Sequence, residues 1–165
     1  MSDPDFSQFK LLPKGNAFED FSVGRVFDHH WGRTLTAADN TLFTTITLSY
    51  LPLYFNAEYA HAHGHPQVVI HPMLVLCVAV GMSVEDLSEG GGPFLGVNQV
   101  QFHRPVYPGD TITARSVVLA ARKSTSRPGE GVVTWRSEAR NQRGELVLSY
   151  ERTNLVNLRA GEAPR

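Results

Sequence analysis

The stretch that most constrains this chain is Met73 to Glu85, thirteen almost entirely apolar residues that follow a His71-Pro72 pair. Proline suits the first turn of a helix, where its missing N–H costs nothing. The helix it opens has no polar face to offer water, so the rest of the fold must cover it on nearly every side. The material for that cover follows at once. Phe94 to His103, Asp110 to Ala121, Gly131 to Asn141 and Glu145 to Asn157 are rich in Val, Leu, Thr and aromatic residues, the composition of strands. Between them lie turn signals at Pro105-Val-Tyr-Pro-Gly-Asp110, Ser126-Arg-Pro-Gly-Glu130 and Asn141-Gln-Arg-Gly144. One buried helix followed by an antiparallel meander predicts an α+β domain, a sheet curved around the helix. One face of a small sheet does not cover so apolar a helix. Two sheets joined edge to edge in a dimer would add cover and protect the edge strands.

The 165 residues suit a single domain with a real core. Fifteen basic residues against sixteen acidic ones give a net charge of −1, which points away from nucleic acid and from an anionic membrane. The lone cysteine, Cys77, can form no intrachain disulfide and fits a reducing compartment. Within its apolar run it reads as a small buried core residue rather than a catalytic thiol. The start, Met1-Ser-Asp-Pro-Asp-Phe, lacks the pattern of a signal peptide. The longest apolar run, Val68 to Met82, is short and interrupted by His71, Pro72 and Gly81, so no membrane span is expected and a cytoplasmic location is.

Residues 1–17 read as a flexible lead-in, residues 18–158 as the domain and 159–165 as a frayed tail. Val26-Phe-Asp-His-His-Trp-Gly is a candidate first strand. Its adjacent His29 and His30 would face opposite sides and could not share a metal. Thr36-Ala-Ala-Asp39 carries a helix start signal, and Leu42, Phe43, Ile46 and Tyr50 then follow at helical spacing, predicting a helix over 36–48. Asp39 reads as first-turn stabilisation in preference to catalysis. Asn56 to Gly64 reads as a short helix with Asn56 as its cap. His61, His63 and His65 alternate, a spacing that spreads side chains around a helix, so no metal site is expected. Val68-Val-Ile70 reads as a short β segment.

Between the two helical stretches, Thr47 to Asn56 carries Ser49, Tyr50, Tyr54 and the helix-breaking Pro52. Proline drives Leu51 into an extended conformation, so the neighbouring side chains are displayed on a turn. Turns are where functional groups often sit.

With this order in place, the chain from about Phe18 to Leu158 resembles the MaoC-like branch of the hotdog-fold superfamily. The residues that carry the resemblance are Phe18-Glu-Asp-Phe-Ser-Val-Gly, Arg33-Thr-Leu-Thr, Phe55-Asn-Ala-Glu-Tyr-Ala60 and His71-Pro-Met-Leu. The most specific run is Val100-Gln-Phe-His-Arg-Pro-Val-Tyr-Pro-Gly-Asp-Thr-Ile112, close to the family pattern Phe-x-x-Pro-Val-x-x-Gly-Asp-Thr. The Ala38 to Thr44 run is similar to that of itaconyl-CoA and mesaconyl-CoA hydratase-like members.

The resemblance implies hydration of a 2-enoyl thioester, or the reverse dehydration, with the acyl group on coenzyme A or acyl carrier protein. It implies no metal or redox cofactor. The family's hydratase motif is Gly-Asp-x-Asn-Pro-x-His. With Pro52 on its proline, the aspartate position falls on Ser49, the asparagine on Leu51 and the histidine on Tyr54. An unperturbed histidine titrates near pH 6.5 and a tyrosine near 10, so the replacement removes the usual base. Tyr54 can still donate a hydrogen bond, Ser49 can position water, and His71 is the candidate compensator. Each also has a plain structural role open to it. Since Pro72 has no N–H, any oxyanion hole at this helix start would use Met73 or a later amide. Asn56 and Arg104 are further candidate substrate contacts; His103 and Arg104 are candidates to meet a coenzyme A phosphate, with solvated loop charge the preferred reading. Two rival readings remain. One is a non-catalytic hotdog subunit that binds acyl thioesters or completes a heteromer with an active partner. The other is a thioesterase using Asp39 or Glu58.

Overall fold

Strict alternation of inward and outward side chains builds the sheet, clearest in Glu130–Arg140, where Gly131, Val133, Trp135, Ser137 and Ala139 are buried. The computed structural model describes residues 14–159; most of the expected lead-in and the tail after Arg159 lie outside the described residues. Within them the strands are β1 (Val26–Thr34), β2 (Phe94–Phe102), β3 (Thr111–Lys123), β4 (Glu130–Arg140) and β5 (Leu146–Asn157). They form one antiparallel sheet in the order β1-β3-β4-β5-β2. The sequence reading of a simple meander from Phe94 onward is therefore corrected. β3, β4 and β5 do follow one another, but β2 pairs with β5 at the far edge. Pro105 and Pro108 break the connection out of β2, and Ile70 N–H donates to Val106 O at 2.8 Å, which binds that connection to the core.

The helices are α1 (Ala37–Ile46), α2 (Ala57–Ala62), α3 (Pro72–Met82) and α4 (Val84–Leu87), with 3-10 turns at Phe18–Asp20 and Pro52–Tyr54. The long apolar helix thus ends three residues before the expected Glu85. Ser83 bonds back to Val80 O at 2.7 Å, and α4 starts on a new line. Val75, Leu76 and Ala79 of α3 sit in the main core with Leu35, Ile70, Val106, Ile112, Leu148 and Tyr150. Burying each large aliphatic side chain contributes about 1.5–3 kcal/mol. A second cluster gathers Phe21, Phe27, Leu87, Val118, Val133, Trp135 and Val156. No helix among the described residues is long and apolar enough to cross a membrane.

Two expectations about burial fail. Cys77, read as core, is exposed. With Met73, Gly81 and Val84 it forms an uncovered stripe along α3 and α4, so a single copy does not wrap the helix on every side. On α1 the residues chosen for an apolar inner face, Leu42 and Ile46, are also exposed, and Asn40 and Thr44 are buried in their place. Edge strand β2 likewise shows Phe94, Leu95, Val100 and Phe102 to solvent. Apolar residues at these positions face away from this chain's own core.

A polar seam separates the two clusters. His29 is buried on β1 while His30 is exposed, the opposite facing expected of neighbours in a strand. His29 Nδ1 lies 2.6 Å from Asp86 Oδ2 on α4, and its Nε2 lies 2.8 Å from Ser116 Oγ. Ser116 Oγ is 2.7 Å from Ser137 Oγ in turn. Each of these groups has its partner, so the seam avoids the penalty of an unpaired buried polar atom. Its effect is to fix α4 over the sheet.

The entry to the domain depends on a glycine. Phe18 packs against the second cluster, and a Cβ at Gly131 would stand 2.1 Å from its ring. Gly131→Ala should lower unfolding stability by about 1–3 kcal/mol, since the ring must move out of a filled site. Urea denaturation measures this; an unchanged midpoint would show that Phe18 does not dock here.

Candidate active site

Local chemistry sets the approach to the turn. Asp39 Oδ2 accepts from Thr36 N at 2.8 Å and from Thr36 Oγ1 at 2.6 Å, while Asp39 N donates to Thr36 Oγ1 at 3.2 Å. Arg33 Nη2 adds a bond to Asp39 Oδ1 at 2.9 Å. These partners, Thr36 foremost, hold the Asp39 carboxyl below its ordinary range. The residue is spent on opening α1, as its place in the sequence suggests.

At the other end of α1, Ser49 N–H donates to Thr44 O at 2.9 Å and Leu48 turns into the left-handed region with φ +52°. Leu48 occupies the glycine position of the motif Gly-Asp-x-Asn-Pro-x-His. A leucine there accepts a conformation that costs an L-residue about 1–2 kcal/mol. Leu51 is extended, as the proline after it requires, and Pro52–Tyr54 winds into its 3-10 turn. Asn56 Oδ1 then caps α2 by accepting from Tyr59 N at 3.0 Å.

Three segments converge on Asn40, which is 1% exposed. Its Nδ2 donates to Tyr54 O at 2.7 Å and to Val69 O at 3.0 Å. Its Oδ1 accepts from His71 N at 2.8 Å. Val69 N–H donates to Leu53 O at 3.1 Å beside them. Val68 to Ile70 is consequently no strand, which corrects the sequence reading: its N–H groups go to Leu53 and Val106 and never enter the sheet.

The result is a ring pair. Tyr54 and His71 lie 4.5 Å apart between centroids and are tilted by 53°, with Phe43 on the histidine at 5.1 Å. His71 is the N-cap of α3, and its Nδ1 accepts from Met73 N at 3.2 Å. With Nδ1 accepting, the imidazole proton resides on Nε2. Burial lowers the His71 pKa below its ordinary value, and a positive charge at a helix N-terminus would be unfavourable as well. The neutral ring is the resting form.

Of the residues singled out in the sequence, the structure brings together Tyr54 and His71. Ser49 opens the same turn, and its hydroxyl bonds no described residue. The Met73 amide is already spent on His71, and Leu74 and Val75 both donate to His71 O, so the first turn of α3 offers no vacant N–H for an oxyanion. Arg104 is exposed, with its guanidinium 3.7 Å from Glu145, and it borders a cavity of about 30 Å³ with Ile70, Pro72 and Val75 below the head of α3. His103 turns to Ser149 at 2.9 Å. Asn40 went unnoticed in the sequence because it sits among residues that suggest an apolar helix face. Among the described residues no group of His, Cys, Asp or Glu is placed to hold a metal. His61, His63 and His65 bond separately to Pro66 O, Tyr59 O and Tyr107 Oη.

Known proteins resemble this chain in sequence and in fold. The family model described as mesaconyl-CoA hydratase matches residues 6–163. The mesaconyl-CoA hydratase of Haloarcula hispanica is 39% identical over 144 residues, which cover 87% of this chain and 40% of that protein. Among solved structures, one described as a MaoC domain dehydratase from Chloroflexus aurantiacus superposes with a TM-score of 0.87 at 33% identity, over 94% of this chain and 44% of the other. A conserved protein from Mycobacterium tuberculosis with a double hotdog fold gives 0.83 at 28% identity, over 92% and 47%. The chain thus spans about two fifths of the length of the mesaconyl-CoA hydratases and the beta-methylmalyl-CoA dehydratase it matches. The fold is the hotdog fold, and the chain belongs to the mesaconyl-CoA hydratase family of MaoC-like proteins.

Proposed function

We propose that this chain is one hotdog unit of a hydratase or dehydratase for 2-enoyl and 3-hydroxyacyl thioesters, with a site built from Tyr54, His71 and Ser49. The observation that carries the reading is the Tyr54–His71 pair, 4.5 Å apart at the head of α3. The relatives named mesaconyl-CoA hydratase support a branched acyl group on coenzyme A, with acyl carrier protein as the other carrier. Adding water across the double bond places a hydroxyl on C3 and a proton on C2. No electrons change hands, so no redox cofactor is needed, and in this reading no metal takes part.

In this reading the Nε2–H of His71 donates to the thioester carbonyl, where negative charge builds as the enolate forms. The N-terminus of α3 favours the same charge. Tyr54 Oη donates to the oxygen at C3, Ser49 holds the attacking or departing water, and the proton that the water loses passes to solvent, which returns one to C2. Met73 contributes through its exposed side chain beside the acyl group, since its amide is engaged. Asn56 and Arg104 contact the carrier, Arg104 through phosphate.

A second hotdog unit completes the protein in this proposal. The relatives' greater length and the exposed apolar residues of β2 and α3 both support it. The unit is a second copy of the chain in the leading form. The alternative is a non-catalytic subunit paired with a partner that holds the usual Asp and His. One observation favours that alternative: the nearby carboxylate of Asp39 is committed to its cap, leaving the attacking water without an evident side-chain proton acceptor. The same commitment leaves a thioesterase with only Glu58, which is exposed in the first turn of α2. Purified chain alone, incubated with mesaconyl-CoA, should form the hydrated product without releasing free thiol. A requirement for a second, different chain would establish the subunit reading, and thiol release the thioesterase.

Two outcomes test the site. Tyr54→Phe should lower kcat by about 10² or more with little change in KM, within the range general acid–base groups supply; a wild-type rate would remove Tyr54 from the mechanism. The pH profile is fixed in sign by His71. Its folded pKa is depressed, so its contribution to stability is complete above the unfolded value of about 6.5 and is lost as pH falls through the folded one. Protonating Nδ1 also ends its bond from Met73 N–H, which orients the ring in this reading. The acid limb of kcat/KM should therefore bend below about pH 6.5, and a bend at or above that value would contradict the assignment.

A further inference from the structure

We infer that Asn40 is the positioning residue of this site, its one carboxamide setting both the separation and the orientation of the Tyr54–His71 pair. The inference rests on the reading that these two rings act together. Tyr54 comes from the 3-10 turn after α1, and His71 from the connection that ends in α3; the chain between them runs through all of α2. Apart from the Val69 N–H to Leu53 O bond, no described backbone hydrogen bond joins the two segments. Asn40 joins them from below, bonding the backbone of Tyr54, Val69 and His71 at 2.7, 3.0 and 2.8 Å.

The residue type follows from the required pattern. Two carbonyls need donors and one N–H needs an acceptor, all within reach of a buried α1 position. A carboxamide supplies all three. An ionised aspartate has the right shape but no donor, a leucine bonds nothing, and a glutamine is longer by a methylene. Thr44, one turn on, is also buried, and its hydroxyl goes to Asn40 O at 3.0 Å within the helix. Phe43 of α1 packs on the His71 ring, and Asn40 is the described α1 residue that bonds the backbone of both Tyr54 and His71.

Orientation is set in two steps. Asn40 fixes the backbone N of His71, and Met73 N–H then holds Nδ1, so that Nε2–H is the ring atom left to face a substrate. Asn40 touches no reacting atom. It acts through Tyr54 and His71, and a displacement of about 1 Å at such a pair is enough to cost about 10² in rate.

The test compares Asn40→Asp with Val133→Ala, a core truncation in the second cluster, away from the site. Each is assayed below its melting midpoint with mesaconyl-CoA, and each is labelled with ¹⁵N-histidine, the His71 signals being identified by their loss in His71→Gln. Asn40→Asp is expected to lose about 10² in kcat with KM changed less than about threefold, and its His71 nitrogens to leave the single Nε2–H form. Val133→Ala should keep kcat within about twofold and leave the His71 signals in place. If Asn40→Asp does not fold, Asn40→Gln carries both readouts, because it keeps the bonding groups while displacing them. Unmoved His71 signals together with a kcat matching Val133→Ala would overturn the inference. Should the wild type not hydrate the substrate, the hydratase reading fails separately, and the nitrogen signals alone decide whether Asn40 positions His71.

Discussion

A carboxamide with no access to water must satisfy its hydrogen bonds inside the protein, and that requirement organises the upper half of this domain. The Asn40 side chain bonds three backbone groups that would otherwise be orphaned under α1. Because its partners come from the 52–54 turn, the 68–70 connection and the start of α3, one buried residue decides how the site segments stack. The apolar core underneath supplies most of the stabilisation without that selectivity. Ile70, next to His71, is inserted into the main cluster, so the polar bonds above and the packing below act on the same few residues.

The lower half follows a similar plan with different residues. His29, Asp86, Ser116 and Ser137 form a row of hydrogen bonds between two apolar clusters. That row holds α4, and so the far end of the central helix, against the sheet. Arg152, also buried, joins Ser83, Ser88 and Asn154 at the same end. The central helix is therefore located by specific polar groups at both ends and by apolar contact along its length. Its outward stripe, Met73, Cys77 and Gly81, is left open, and the edge strand β2 also exposes apolar residues. The second hotdog unit proposed above would cover both exposures.

What could be read from the sequence was whatever local chemistry determines. The Thr36–Asp39 cap, Pro72 at the start of α3, the Asn141 to Gly144 hairpin and the β-rich runs after Phe94 each depend on neighbours within a few residues, and all stand where the sequence placed them. The features that escaped depend on distant partners. Spacing alone assigned Leu42 and Ile46 to the inner face of α1, but the tertiary demand for hydrogen bonds turned Asn40 and Thr44 inward instead. Val68 to Ile70 has strand composition yet bonds to a turn and a loop. The partner of β2 could not be inferred from turn residues, because the choice between β3 and β5 is made by how the 103–110 connection packs under α3. For the site, residue types and a family motif led to Tyr54, Ser49 and His71. Nothing in the residue string revealed that Met73 N–H would be consumed by His71, since that depends on a side-chain rotamer at the cap.

The central claim is that Tyr54 and His71 together receive a thioester. It is tested most directly by a structure of the protein with a non-reactive 2-enoyl-CoA analogue. His71 Nε2 is expected within hydrogen-bond reach of the thioester oxygen, about 2.6–3.2 Å, and Tyr54 Oη within the same reach of the position above C3. An analogue bound with its thioester away from both rings would contradict it.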